Sequence, residues 1–357
     1  MTDERDKHDT ATVAREELLR LAEAALTAAG ASPRHAALSA DILVEGDLMG
    51  LGTHGVLRVL LYSERLRLGG IAADAEITVE RKTPSLALVD GGNGLGPAVA
   101  MAGLDAGFEM AAESGLAYVG CRNSNHLGAL APYALKACEK GLVLLCGTNA
   151  STTIAPWGGR EARLGNNPLC IAAPCPPSAG DGAPHFILDM AMSVAARGKI
   201  RKARDEGTAI PEGWAVDAAG RPTSDPVAAL EGFLLPFGGH KGSGLSQAVD
   251  LLSGVLTGAR FLTDISPWTD YPERACGTGH FFLLLDPARL LGAEQYAAAV
   301  ERFRRLIRET PPADPAQPVQ IPGEREQLRR AEALEKGIVL PAGLLAKIEA
   351  LASGNPL

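Results

Sequence analysis

Apolar positions recur with a helical period over residues 13–29. Leu18, Leu19, Leu21, Ala22, Ala25 and Leu26 share one broad face there, and Gly30 supplies a stop. Ser32-Pro33 reads as the N-cap and first position of a second helix that reaches about Met49. A third helix runs from about Val56 to Leu68 and ends at Gly69-Gly70. The texture then changes. Ile77–Glu80 and Leu86–Val89 predict strands, and the glycine-rich turn Gly91–Gly96 leads into an Ala-rich helix over about 98–114. Further strands are predicted at Ala117–Cys121, Leu142–Cys146, Leu169–Ala173, Phe186–Asp189 and Phe281–Leu285. Helices are predicted near Pro132–Lys140 and Gly244–Thr257. A helical opening followed by alternating strands and helices predicts an α/β body. The first dozen residues are polar and read as frayed. Pro174–Pro184 is a loop within the body, and the Pro-rich stretch Pro311–Pro322 precedes a charged helix.

The 357 residues allow two compact units or one large one. Hydrophobic residues make up 46% but aromatics only 4%, so the core must be built from Ala, Leu, Val and Ile. With 42 acidic against 34 basic residues, the net charge of −8 argues against a general nucleic-acid or anionic-membrane surface. It leaves room for a small basic pocket. The six cysteines show no Cys-x-x-Cys pair or zinc-like spacing and lie mostly in apolar runs, as buried reduced thiols of a cytoplasmic protein do. The charged start has no apolar core of a secretory signal, and no apolar stretch is long enough to span a bilayer.

Two of the seven histidines stand in polar, glycine-flanked segments, Gly52-Thr53-His54-Gly55-Val56-Leu57-Arg58 and Asn123-Ser124-Asn125-His126-Leu127-Gly128. A histidine beside a hydroxyl can exchange protons near neutral pH, and an arginine one helical turn on can hold a carboxylate through two parallel hydrogen bonds. A turn-capping role for His54 and a loop role for His126 fit the sequence equally well. Gly128-Ala129-Leu130 opens a helix whose first amides could hold a phosphate. Asp189 ends an apolar strand, as a buried paired carboxylate or a site residue would. Lys241 stands among Gly238, Gly239, Gly242 and Gly244 just before a helix, in the manner of a phosphate nest or of a flexible loop. His8, His35, His185 and His280 read as incidental. The turn at Gly91–Gly96 misses the dinucleotide fingerprint, because Pro97 stands where its third glycine belongs, and it reads as a tight turn into a helix. No Gly-x-Ser-x-Gly elbow and no metal-ligand spacing occur.

Taken together, these segments resemble the type-two malate/L-lactate dehydrogenase family of NAD(P)-dependent oxidoreductases. Asn167-Pro168-Leu169, Leu188-Asp189-Met190-Ala191, Ile210–Asp217, Phe237–Gly242 and Pro322–Glu326 extend the match in the family's order over nearly the whole chain. The resemblance implies an α/β, non-Rossmann, mixed-sheet NAD(P)-binding body at 76–290. A helical segment at 1–75 would pack with C-terminal helices at 291–357. It implies NAD or NADP as cofactor, a small carboxylate as substrate, no metal, and a homodimer. In the roles it implies, His54 exchanges the proton at the substrate C2 oxygen, Thr53 orients His54, and Arg58 clamps the carboxylate. His126 belongs to catalysis or to the cofactor pocket. Asp189 stands with both sets, and Gly128, Ala129, Leu130, Met190, Ala191, Lys241, Gly242, Gly323, Glu324 and Arg325 line the cofactor. Asn166 departs from the threonine common in relatives. The expected reaction is hydride transfer at C2 of a small 2-hydroxy or 2-oxo acid. The alternatives are a cyclic imino acid reductase of the piperideine-2-carboxylate type, a ureidoglycolate dehydrogenase, or a nicotinamide-binding protein without catalysis.

Overall fold

A computed structural model describes residues 9–176 and 183–355. His8 and the middle of the 174–184 loop lie outside the described residues. The first described residues form a strand, and most of the dozen read as frayed lie outside the described residues. β1 (Thr10–Val13) pairs antiparallel with the distant β12 (Ile338–Pro341). α1 (Arg15–Ala28) and α2 (Pro33–Leu48) follow, and the Ser32 hydroxyl accepts from the His35 amide to cap α2. After a one-turn 3-10 helix at Gly52–His54, α3 (Leu57–Leu68) ends at Gly69, whose φ of 80° closes it as a left-handed cap. α12 (Ala342–Ala352) packs on α1 and α3. Leu18, Leu26, Val59, Ile348 and Leu351 bury one shared apolar cluster there.

The body is a mixed α/β unit around a seven-stranded sheet. Its strands are β2 (Thr78–Thr83), β3 (Leu86–Asp90), β4 (Leu116–Ser124), β5 (Val143–Thr148), β6 (Leu169–Ala173), β7 (Phe186–Met190) and β11 (Thr278–Leu285). The order is β2-β3-β4-β11-β5-β6-β7, and only β3 and β4 run parallel. α4 (Gly96–Ser114) connects those two strands. β11 enters the centre of the sheet from far along the chain and runs antiparallel to both β4 and β5. Its side chains alternate between two cores. Phe282 and Leu284 join the cluster under α4, while Phe281 joins one with Val249 and Met192. α4 approaches closely because Gly103 and Gly107 lack a Cβ, which would lie 2.7 Å from Cys121 Sγ and 2.5 Å from Leu284 Cδ1.

α5 (Ala131–Glu139) covers β5 to β7. Beyond β7 lie α6 (Arg197–Asp205), the small sheet of β8 (Ala215–Val216), β9 (Pro222–Thr223) and β10 (Phe233–Leu234), and α7 (Pro226–Glu231). α8 (His240–Asp250) begins earlier than its apolar period implied and continues as a π-helical turn, Leu251–Val255. α9 (Pro287–Leu291), α10 (Ala293–Arg308) and α11 (Glu324–Lys336) complete the chain. All six cysteines are buried as free thiols. Among the described residues no helix is long and apolar enough to cross a membrane, and no group of three or more His, Cys, Asp or Glu is placed to hold a metal ion.

Candidate active site

Residues from α3, the end of β4 and the loop before β11 meet in one cluster. The 3-10 turn brings Thr53 and His54 to the start of α3, with Thr53 Oγ1 2.9 Å from His54 Nδ1. Asp47 of α2 holds this turn from below, its Oδ2 accepting from the Val56 amide at 2.6 Å. A Cβ at Gly55 would lie 2.2 Å from the Asp47 carboxylate, so glycine lets this turn and that side chain keep their close contact. Burial pushes the Asp47 carboxyl up to about 7, against the lowering effect of the Val56 bond.

Arg58, Tyr62 and Arg65 follow at helical spacing and present one face of α3. The Tyr62 hydroxyl donates to the His126 carbonyl at 2.8 Å and lies 2.6 Å from His126 Nδ1. The His54 and His126 rings stack with 5.5 Å between centroids. Trp268 stacks on the other side of His126, at 4.5 Å, and the Arg58 guanidinium carbon lies 5.5 Å from the indole centroid. Arg65 is fully buried and donates to the carbonyls of Gly70, Pro272 and Arg274, which ties the Trp268 loop to α3.

Both imidazoles are neutral in this setting. Burial, and next the Arg58 charge, bring His54 down to about 4. Burial also takes His126 well below its ordinary value, helped by Arg58 and His54. His126 Nδ1 receives the Gly128 amide at 3.3 Å. Neither histidine has a partner at Nε2 among the described residues. Arg58 has no carboxylate partner there either, and its Nε is buried without a hydrogen bond.

The strand end carrying His126 is seated by the glycine-rich turn. Asn125 donates to the carbonyls of Asn93 and Gly94, and a Cβ at Gly96 would lie 2.2 Å from the His126 carbonyl. The turn admits this backbone and opens α4.

The remaining expected residues form two neighbouring groups. Asp189 Oδ2 accepts from the Leu130 and Ala131 amides at 3.0 and 2.9 Å. Those first-turn amides of α5, expected to face a phosphate, are therefore bonded to the protein's own carboxylate. Burial raises Asp189 to about 6. Gly323, with φ of 84°, abuts Ile187 of β7, where a Cβ would lie 2.7 Å from the Ile187 carbonyl. Glu324 binds Arg308 and accepts from the Ile321 amide, and Arg325 pairs with Glu326 on the surface. Met190 and Ala191 lead from β7 to Met192, which exchanges backbone bonds with Asn166 and Phe237.

Phe237 begins the third group. Gly238 and Gly239, at φ of 58° and 65°, turn the chain into α8, whose N-terminus has no side-chain cap and carries Lys241 and Gly242 in its first turn. Beside it lies a cavity of about 320 Å³ lined by Pro156, Trp157, Phe233 and Leu235. The Trp157 ring meets His240 edge-on at 6.3 Å. Free amides, a lysine and a flat apolar wall suit the phosphates and aromatic rings of a dinucleotide.

Sequence reasoning did not single out Asp47, Tyr62 or Trp268, which the structure packs around this cluster. Tyr62 had a signal, its spacing of four from Arg58. His280, expected to be incidental, is fully buried between β4 and β5.

The profile of the family described as malate/L-lactate dehydrogenase matches residues 13–349. The chain belongs to this family. It is 35% identical to malate/(S)-sulfolactate dehydrogenase of Methanothermus fervidus, over 92% of this chain and 93% of that one. It is 33% identical to ureidoglycolate dehydrogenase (NAD(+)) of Escherichia coli O157:H7, over 91% of each chain. The structure of delta1-piperideine-2-carboxylate reductase from Pseudomonas syringae pvar. tomato superposes with a TM-score of 0.86 at 31% identity, covering 96% of this chain and 99% of that one.

Proposed function

We propose that the chain is an NAD(P)-dependent oxidoreductase transferring hydride between nicotinamide and C2 of a small 2-hydroxy or 2-oxo acid. One observation carries this reading. The stacked pair His54 and His126 lies beside a guanidinium, Arg58, that has no acid partner among the described residues. A substrate carboxylate would complete Arg58 in the bidentate geometry its planar fork favours.

The cofactor supplies the hydride or accepts it when bound. Everything else falls to the chain. Arg58 orients the acid so that its C2 oxygen meets an imidazole Nε2, and His54 takes or returns the proton there. The Thr53 hydroxyl fixes the ring's other nitrogen. Neutral His54 is the form that accepts a proton from a hydroxy acid. Trp268 backs His126 and Arg58 with an apolar wall and keeps water from that side. Lys241, Gly242 and the open amides of α8 would hold the cofactor phosphates. Gly128, Ala129, Met190, Ala191 and Gly323 would line its course. Asp189 acts through α5, by holding Leu130 and Ala131, rather than on substrate.

The body reads as distinct from the doubly wound dinucleotide fold, and the single parallel strand pair supports that. The division into a helical segment at 1–75, a body at 76–290 and C-terminal helices at 291–357 is supported by the contacts of α12 with α1. A cytoplasmic setting agrees with six buried thiols. Exposed Leu251, Val255 and Leu256 support a homodimer.

The likeness to the piperideine-2-carboxylate reductase favours a second reading, reduction of a cyclic imino acid with the same clamp and proton donor. Following reduced nicotinamide absorbance with pyruvate, oxaloacetate, sulfopyruvate and piperideine-2-carboxylate tests both. Turnover of an oxo acid to a hydroxy acid supports the first reading, and a cyclic amine product the second. Cofactor binding without turnover on this panel or with ureidoglycolate would overturn both.

A further inference from the structure

We infer that His280 is a positioning residue for the candidate active site, fixing through Ser124 the strand end that presents His126. The inference rests on His126 belonging to that site.

His280 is the third residue of the central strand β11 and is fully buried. Its Nδ1 lies 2.8 Å from Thr148 Oγ1 on β5, and its Nε2 lies 2.7 Å from Ser124 Oγ on β4. The Thr148 hydroxyl has the carbonyls of Asn149 and Gly279 within reach, both 3.0 Å away. With its one proton on either of them, Thr148 accepts from Nδ1–H, and Nε2 accepts from Ser124; this is the tautomer the substitutions below test. The other acceptor open to Ser124, the Asn125 carbonyl, is 3.5 Å away. The ring is neutral, since burial brings it down to about 3.

One imidazole thus links three adjacent strands at the point where the β11–β4 ladder shifts register, between Thr278 and His280. Ser124 is two residues from His126. The next residue, Asn125, is held on its other side by the Asn93 and Gly94 carbonyls. Apolar groups of the same shape could fill a strand centre at little or no loss of stability. What the polar link adds is direction, and small displacements of reacting groups can cost about a hundredfold in rate.

Kinetics use the full chain with its three tryptophans intact, and emission uses the same chain with Trp157→Phe and Trp214→Phe, which leaves Trp268, stacked on His126, as the sole indole reporter. Three further substitutions are compared. Asn at 280 keeps a donor near the Nδ1 position and loses the Ser124 bond. Gln at 280 reaches the Nε2 position and offers Ser124 an acceptor. Ser124→Ala removes the hydroxyl alone. The expectation is that His280→Asn and Ser124→Ala lower kcat by about tenfold or more, with KM for the acid within about twofold, because Arg58 sits on another element. His280→Gln retains most of kcat. Trp268 emission rises and its anisotropy falls in the first two and not in the third. Ser124→Ala with wild-type kcat and unchanged Trp268 emission would overturn the assignment. So would kcat losses in all three that merely track falling Tm. If the parent chain turns over no substrate, the dehydrogenase reading fails, and Trp268 emission still decides whether His280 positions His126.

Discussion

Trp268 stacks on His126 with 4.5 Å between ring centroids, and the same indole lies 5.5 Å from the Arg58 guanidinium carbon. A loop far along the chain thus packs against both His126 and Arg58, the latter proposed above as the clamp for the acid. Trp268→Ala removes a cation–π surface worth about 0.5–2 kcal/mol to Arg58. KM for the acid substrate should rise by about twofold to thirtyfold, and kcat should fall as His126 loses its backing. Trp268→Phe should recover most of both. Steady-state kinetics on the two variants check this, and an unchanged KM in the alanine variant would disconnect the indole from the clamp.

His54 provides the pH signature. Oxidation of a hydroxy acid needs the imidazole neutral, and its value of about 4 keeps it neutral well below the ordinary histidine range. kcat/KM for oxidation should therefore stay level from neutral pH down to about pH 5 and fall only as about pH 4 is approached. An ordinary histidine base would lose activity below about pH 6.5. His54→Ala should lower kcat/KM by ~100-fold to ~10,000-fold and abolish that limb. Arg58→Lys, which keeps the charge but loses the fork, should raise KM more than it lowers kcat.

The elements most legible in the sequence are those whose order depends on near neighbours. α2 was marked at its start by Ser32-Pro33, and α4 by a glycine turn. The histidine segments were visible because glycine and hydroxyl neighbours are unusual around a core histidine. The pairing of β1 with β12 was hidden, because a four-residue strand has too few positions to show a period and its partner lies over three hundred residues away. The buried links of His280 were hidden for the same reason. Its meaning comes from Ser124 and Thr148 on neighbouring strands, and nothing local in Gly279-His280-Phe281 announces a register shift. Trp268 stands in a polar loop whose docking depends on Arg65, two hundred residues earlier.

Asp189 should behave as a helix cap. Its carboxylate bonds the Leu130 and Ala131 amides, so Asp189→Ala leaves two buried donors without partners and removes a favourable charge at the start of α5. A loss of about 1–2 kcal/mol is expected in denaturant unfolding. Asp189→Asn keeps an acceptor oxygen and should lose less. Full activity in the asparagine variant would confirm a role exercised through α5. A collapse of kcat with unchanged stability would return Asp189 to the chemistry.

Asp47 and Gly55 make the turn under His54 sensitive to pH and to a single methyl group. The folded state holds Asp47 at about 7, raised by burial from an ordinary 3.8, so it binds a proton more tightly than the unfolded chain does. The resulting stability is fully present below about pH 4 and is lost as pH rises through about 7. Asp47→Asn keeps an acceptor for the Val56 amide and removes the charge. Its Tm should exceed that of the parent at about pH 8, and the gap should narrow below about pH 7 and close near pH 4. Gly55→Ala forces a Cβ to within 2.2 Å of the Asp47 oxygen, so the turn must move. Thr53 and His54 move with it, and activity should fall by more than stability does. Asp47→Asn leaves the side chain in place and so should not rescue Gly55→Ala, whereas Asp47→Ala clears the space and should restore part of the activity at the expense of the Val56 cap. Equal rescue by both would mean that charge, and not contact, sets the position of the turn.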